Sequence, residues 1–205
     1  IGHYLDTMLE VLDHMQSEAF LADTPPQVLY ALRRGQTAFV NKGRKQTRPR
    51  RVSRLVRAGA VDACFSSPYI WMEMMANERP WVALPTSLRT ILLGSAPTTR
   101  DFLWRLLEHI PPSTEVLLLY GMTEVGIISQ LDARVKVAWT GDGDLVGSVL
   151  EGIDVQLHGA ESAAGVGEVM VRSASLFSGY LGAPTRGENE ALATGDLGQW
   201  VWVDG

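Results

Sequence analysis

Apolar residues recur at spacings of three and four over Tyr4, Leu5, Met8, Leu9, Leu12 and Met15, which predicts an amphipathic helix at the start of the chain. Asp23, Pro25 and Pro26 interrupt that period. A short helix is then expected over 27–34, stopped by Gly35, and residues 37–40 read as a strand. The next helix should bury Pro49, Val52, Leu55 and Val56 and leave Arg50, Arg51, Arg54 and Arg57 on its solvated faces. Residues 60–65 form an apolar strand, and Pro68 opens a helix carrying Tyr69, Trp71, Met72 and Met75. Such a Met and aromatic stripe reads as core or as the wall of a ligand pocket. Residues 88–93 make a strand that enters Gly94-Ser95-Ala96-Pro97. Thr99 can cap a helix whose apolar face is Phe102, Leu103, Leu106, Leu107 and Ile110, with Pro111 and Pro112 as its stop. Residues 116–120 are a strand running into Gly121-Met122-Thr123-Glu124.

Strand and helix alternate here at a spacing that favours a helix-covered, mostly parallel sheet. After about residue 132 the helical period disappears, glycines become frequent, and short strands are expected at 153–157, 168–172 and 200–203. The fold class expected is therefore α/β, followed by a small β-rich subdomain such as a distorted barrel. The division expected is 1–131 and 132–205, with the glycines from 141 to 147 as the junction.

Composition narrows the function classes. The chain has 205 residues, of which 46% are hydrophobic and 20% charged, close to the globular average, so disordered and fibrous classes are excluded. One cysteine excludes a disulfide framework, and His3, His14, His109 and His158 lie too far apart for a local zinc motif. No apolar run is long enough to cross a membrane. Residue 1 is Ile and no signal-peptide pattern follows, so a cytoplasmic location is expected.

Charge is uneven. Residues 1–107 carry 14 Lys and Arg against 9 Asp and Glu, whereas residues 108–205 carry 4 against 14. Eight of the basic residues fall between Lys42 and Arg57 with no acid among them. No aromatic residue interleaves with them, as a single-strand binder would need, so a solvated helix face is preferred to a nucleic-acid partner.

Two strand ends carry candidate chemistry. In open α/β sheets ligands bind beyond the carboxyl ends of strands. Gly94-Ser95-Ala96-Pro97 has short side chains that let a ligand approach the backbone. Tyr120, Gly121, Met122, Thr123 and Glu124 bring an aromatic face, a hydroxyl and a carboxylate together. That set suits a nucleotide with magnesium, which is held by one or two carboxylates plus phosphate oxygens. The plain alternative is a strand–turn–helix junction with Thr123 as N-cap. Thr194-Gly195-Asp196 offers a carboxylate beside a tight turn, suited to ribose hydroxyls, or simply a Gly-Asp hairpin turn before a 200–203 strand. Residues 167–171 with Gly179-Tyr180-Leu181 read as a strand and a turn without catalytic character.

The order of these pieces resembles the adenylate-forming (AMP-binding) enzyme superfamily. Tyr120-Gly121-Met122-Thr123-Glu124, Gly167-Glu168-Val169-Met170-Val171 with Gly179-Tyr180-Leu181, and Thr194-Gly195-Asp196 stand in the superfamily's sequence. Gly94-Ser95-Ala96-Pro97 sits at its adenine-loop position. Phe65-Ser66-Ser67-Pro68 and Leu88-Arg89-Thr90-Ile91 further resemble the bacterial fatty-acyl-CoA ligase and olefin-pathway β-lactone synthetase branch.

The resemblance implies that Tyr120 stacks on adenine while Gly94, Ser95, Ala96 and Pro97 line the base. Gly121 and Met122 complete that nucleotide site, and Asp196 binds the ribose. Thr123 would touch the α-phosphate region and Glu124 would hold Mg²⁺, these two being the catalytic pair. Ser67, Trp71 and Val125 would wall the pocket for a small-molecule carboxylic acid, fatty or β-hydroxy. The implied reaction uses ATP to make an acyl-adenylate, followed by transfer to coenzyme A or an acyl-carrier thiol, or by lactone closure. A non-catalytic descendant that binds acyl-adenylate or a protein partner is the alternative.

Departures accompany the likeness. Gly147-Ser148-Val149 lacks the cation common there, Ser173 replaces a glycine, and Leu192 and Ala193 replace an aromatic and a basic residue. No Gly/Ser/Thr-rich loop ending in Pro-Lys occurs in the chain, and Gly2-His3 resembles the segment that follows that loop. The hinge and the catalytic lysine of the C-terminal lid are also absent. The expectation is an internal portion of a longer parent polypeptide, inactive alone and carrying an exposed apolar face where the rest would pack. One lost electrostatic donor typically costs about 3–4 kcal/mol of transition-state stabilisation.

Overall fold

Five short parallel strands, nearly all apolar, form the centre of the molecule. The computed structural model describes residues 17–22, 24–40, 49–77, 84–160, 165–187 and 190–203. The helix expected over Tyr4 to Met15 and the basic residues Lys42, Arg44, Lys45 and Arg48 lie outside the described residues. The strands are β1 (Ala19–Ala22), β2 (Thr37–Val40), β3 (Ala63–Ser66), β4 (Thr90–Leu93), β5 (Glu115–Met122), β6 (Gly126–Asp132) and β7 (Ser148–Val149). They form one sheet in the order β2-β1-β3-β4-β5-β6-β7, parallel from β2 to β5 and antiparallel at β5–β6 and β6–β7. Helices α1 (Pro25–Arg33), α2 (Pro49–Arg57), α3 (Pro68–Asn77) and α4 (Arg100–His109) make the crossovers, and α5 (Ala133–Ala138) follows β6.

Alternation along each strand divides the core into two faces. Leu21, Cys64, Ile91 and Val116 meet Val52 and Val56 of α2, Trp71 and Met74 of α3, and Leu103 and Leu106 of α4. Phe20, Ala63, Leu92 and Leu117 point the other way, against Tyr30 and Ala31 of α1. Winding reverses between β1 and β3, as in doubly wound sheets. The carboxyl ends of three neighbouring strands, β3, β4 and β5, therefore lie side by side, with Ser67 and Gly94 just past the first two and Tyr120 among the last residues of β5.

Local signals explain several boundaries. The side chain of Gln27 accepts a hydrogen bond from Thr24 N at 3.1 Å, and two prolines start α1. Thr99 Oγ1 accepts from Phe102 N at 3.3 Å, capping α4 as expected. On α2 the residues Val52 and Val56 are buried and Arg50, Arg51 and Arg54 exposed, again as expected. On α3 the buried face is Ile70, Trp71 and Met74, and Tyr69 and Met72 are exposed; the stripe is thus rotated from the one anticipated. The Trp71 indole donates to Ser66 Oγ at 2.7 Å, which anchors that rotation by satisfying a buried N–H.

Three expectations are corrected. Thr123 does not cap a helix, because β5 turns back into β6, with Leu118 opposite Leu131 and Met122 opposite Gly126. A side chain at Gly121 would place its Cβ 2.0 Å from Gly126 O, so only glycine admits this close hairpin. The helical period does not end at residue 132, since Asp132 caps α5 by accepting from Arg134 N at 2.6 Å. Residues 200–203 are not a strand. The third strand of the second sheet is β10 (Leu192–Gly198), paired to β9 (Gly167–Ser173), which also pairs with β8 (Ile153–His158). A strand requires a partner for its backbone groups, and Trp200 and Trp202 instead stand exposed without one among the described residues.

The change of sheet comes after Val149, so α5 and β7 are built onto the large sheet. The small antiparallel sheet joins it through Val169 and Val171, which pack with Val125 and Ile128 from the β5–β6 hairpin. Among the described residues no helix is long and apolar enough to cross a membrane.

Candidate active site

The chemistry collects where the β5–β6 hairpin meets the small sheet. β4 and β5 run side by side, with Leu93 opposite Leu118, so the loop after β4 starts beside Leu119 and Tyr120. Gly94 is buried, and a Cβ there would lie 2.9 Å from Phe65 Cζ. Ser95, Ala96 and Pro97 are exposed, with Ser95 at φ 69°, an uncommon backbone conformation for a residue with a side chain. This loop thus presents backbone rather than bulk to the space above the sheet.

Tyr120 reaches across 76 positions of sequence, and its Oη donates to Asp196 Oδ2 at 2.6 Å. Burial and the Asp196 carboxylate together push the Tyr120 phenol up to about 12, so the pair is a neutral phenol on a carboxylate. Asp196 stands on a bulge. Ala193 pairs with Met170 and Leu197 with Glu168, which leaves three residues of β10 facing one of β9. Gly195, at φ 81°, makes the bend, and its N–H is taken by Glu168 Oε1 at 3.2 Å. Thr194 Oγ1 donates to Val169 O at 2.9 Å and accepts from Asp196 N at 3.1 Å. The Thr-Gly-Asp segment is therefore a built-in strand irregularity, not the hairpin turn that was the plain alternative.

Glu124, half-buried in the turn after Met122, accepts from Tyr180 Oη at 2.8 Å through Oε1. The bond raises the Tyr180 phenol above its ordinary range. Oε2 of Glu124 and Oδ1 of Asp196 accept no hydrogen bond among the described residues. Thr123 is exposed at the tip of the same turn.

The sequence-predicted residues thus separate into two sets. Tyr120, Gly121, Met122, Thr123, Glu124 and Asp196 come together, with the loop from Gly94 to Pro97 on the adjoining strand end. Ser67 is half-exposed at the end of β3, but Trp71 and Val125 have almost no surface. Tyr180, Thr194 and Glu168 shape the site without having been singled out for it. Thr194 and Tyr180 lie inside motifs already noticed, yet only the contacts reveal what each one holds.

These features occur in a chain whose residues 19–181 match the family described as AMP-binding enzyme. The chain belongs to that family. Among curated relatives, 4-coumarate-CoA ligase 1 of Narcissus pseudonarcissus is 28% identical over 159 residues, covering 72% of this chain and 29% of the relative. Acyl-CoA ligase ppsA of Aspergillus oryzae is 31% identical over 120 residues, covering 54% of this chain and 21% of that one. The chain therefore spans less than a third of the length of either. The solved Bacillus subtilis o-succinylbenzoate CoA synthetase (MenE), in complex with the acyl-adenylate intermediate OSB-AMP, shares the fold at a TM-score of 0.75. Its identity is 21%, with 97% of this chain and 42% of that one covered. A MenE structure with ATP and magnesium ion superposes at 0.74 and 20% identity, covering 97% and 43%. The α/β sheet with its small antiparallel companion is thus the fold of adenylate-forming ligases.

Proposed function

We propose that this chain carries the nucleotide end of the active site of an ATP-dependent, AMP-forming acid–thiol ligase. The observation that carries the reading is the meeting of Tyr120 and Asp196, one from each sheet, at 2.6 Å. An aromatic ring and a carboxylate fixed against each other offer a stacking face for a base and an acceptor for ribose hydroxyls. Asp196 Oδ1 is open for the second task. The exposed residues Ser95, Ala96 and Pro97, on the adjoining strand end, would edge the adenine. Gly121 and Met122 complete the floor.

A divalent ion fits the residues present only as part of a metal–nucleotide complex. No cluster of three or more ligating side chains occurs among the described residues, so phosphate oxygens would supply the remaining ligands. Glu124 would hold Mg²⁺ through its open oxygen. When bound, the ion neutralises phosphate charge. Thr123 would hydrogen-bond the α-phosphate from the tip of the turn.

The reaction we propose is attack by a substrate carboxylate oxygen on the α-phosphorus of ATP, with the bond to pyrophosphate breaking. Coenzyme A or a carrier thiol would then take the acyl group and release AMP. The acid is proposed to be fatty or β-hydroxylated, with Ser67 at the mouth of its pocket. Trp71 and Val125, being buried, would shape that pocket from behind. Lactone closure is an outcome open to a β-hydroxy acid. A longer polypeptide would supply the loop around the triphosphate and the lid, which is supported by the partial spans of the relatives.

The test is calorimetric titration of an acyl-sulfamoyl-adenosine analogue, a non-reactive mimic of the acyl-adenylate. Binding is expected for the wild-type chain and a loss of about tenfold or more for Asp196→Ala, the size of one hydrogen-bonded charged contact. Equal affinity for both proteins would overturn the reading. The chain alone should also give no pyrophosphate exchange, and robust exchange would refute the need for further polypeptide.

A further inference from the structure

Glu124 is secured from outside its own hairpin. Ser175 Oγ donates to Val125 O at 2.6 Å, and Phe177 N donates to Glu124 O at 2.7 Å. Tyr180 Oη then closes on Glu124 Oε1 at 2.8 Å. The first two bonds fix the two carbonyls that follow the Glu124 Cα, and the third fixes the side chain itself. All three come from the segment that follows β9 in the small sheet. Phe177 supports the phenol, its ring meeting Tyr180 edge-on at 4.8 Å with planes at 71°, and the Arg186 guanidinium lies 5.9 Å from the centre of the Phe177 ring.

The chemistry of the donor matters. An arginine or lysine on Glu124 would orient the carboxylate but cancel the charge that a cation needs. A phenol donates one hydrogen bond and brings no charge. It can occupy Oε1 and leave Oε2 open, with the net negative charge of the carboxylate intact. A free glutamate on an exposed turn must lose side-chain rotamer entropy on binding a metal, and an existing hydrogen bond spends that cost beforehand.

We infer that Tyr180 is a positioning residue for Glu124, a neutral tether that presets one carboxylate oxygen so that the other is ready for a cation. The inference rests on the nucleotide reading above and adds to it a residue from the segment that joins β9 to β10. It also makes the connection between two strands of the small sheet a participant at the metal end of the site, as β10 is at the ribose end.

The experiment measures Mn²⁺ binding in the presence of ATP by counting free ion with electron paramagnetic resonance. Wild type, Tyr180→Phe, Glu124→Gln and the double variant form a cycle. Tyr180 is 62% exposed, so its phenylalanine variant keeps the packed core untouched. Tyr180→Phe is expected to weaken Mn²⁺ by about fivefold to tenfold while metal-free AMP affinity stays within about twofold. In the Glu124→Gln background the same change is expected to add less than about twofold. Unchanged or tighter Mn²⁺ binding by Tyr180→Phe, or a full effect in the Gln background, would overturn the positioning role while leaving the nucleotide reading in place. If Glu124→Gln leaves Mn²⁺ affinity unaltered, or the wild type takes up no metal with ATP, the nucleotide reading falls and the role of Tyr180 falls with it.

Discussion

Gly121 and Gly195 stand on the two sides of the Tyr120–Asp196 hydrogen bond, and they are held in opposite ways. A Cβ on Gly121 would lie 2.0 Å from the backbone oxygen of Gly126, whereas one on Gly195 would meet nothing within 4 Å. The first glycine sits in a hairpin flanked by the buried Leu118, Val125 and Ile127. The second bends an exposed bulge kept in shape by the Thr194 hydroxyl and the Glu168 carboxylate. The tyrosine side of the site is thus placed by packing. The aspartate side is placed by a few polar bonds of about 1 kcal/mol each. One site is assembled from a part that has no room to move and a part whose geometry is written in its surface.

The contrast can be broken most severely beneath the packed half. Trp71→Ala should cost about 3–5 kcal/mol in urea unfolding, because it empties a core position and leaves Ser66 without its partner. A loss below about 1 kcal/mol, the scale of an ordinary surface change, would mean that the sheet does not depend on that core. Next come the glycines. Gly121→Ala should lose about 3 kcal/mol, the upper end for overpacking, because backbone must move. Gly195→Ala should lose about 1–2 kcal/mol, which is the cost of the left-handed conformation alone. Equal losses would erase the distinction between the two halves.

The smallest effect concerns pH. The Tyr120 phenol is pushed up from 10.0 to about 12, so the unfolded chain loses this proton first as pH rises. Between those values the unfolded state binds fewer protons than the native state. The contribution is therefore complete below about pH 10 and fades as pH rises towards 12. Urea midpoints measured across that range should fall more steeply for wild type than for Tyr120→Phe. Parallel curves would show that neither burial nor Asp196 holds the Tyr120 phenol protonated in the native state.

Much of the architecture could be read from local pattern. The two faces of α2 and the Thr99 cap of α4 follow from spacing and capping, since each involves residues within a few positions of one another. Strands β3 and β4 were visible as short apolar runs because both faces of a central parallel strand are covered. The β1 strand was not visible, because the four-residue apolar run of Ala19, Phe20, Leu21 and Ala22 follows closely on the period of the expected first helix with no Gly or Pro to separate them. The return of the chain through β6 was hidden for a different reason: nothing in the sequence of Gly126–Asp132 says that Leu131 pairs with Leu118. The 200–203 run had strand-like residues but no partner strand among the described residues.

Of the candidate site, the identities of Tyr120, Glu124 and Asp196 were legible, because aromatic, carboxylate and glycine chemistry in that order is a local property of the chain. The sequence alone also determined the family likeness and the alternation of strand and helix. Only the tertiary structure decided that Tyr120 bonds Asp196, that Tyr180 bonds Glu124, and that Trp71 and Val125 lie inside. Those contacts join positions 76 and 56 residues apart or depend on which face of an element turns inward. Spacing along a chain sets which neighbours a residue can reach within its own element. Distant partners are chosen by how two sheets share the burial of Val125, Ile128, Val169 and Val171.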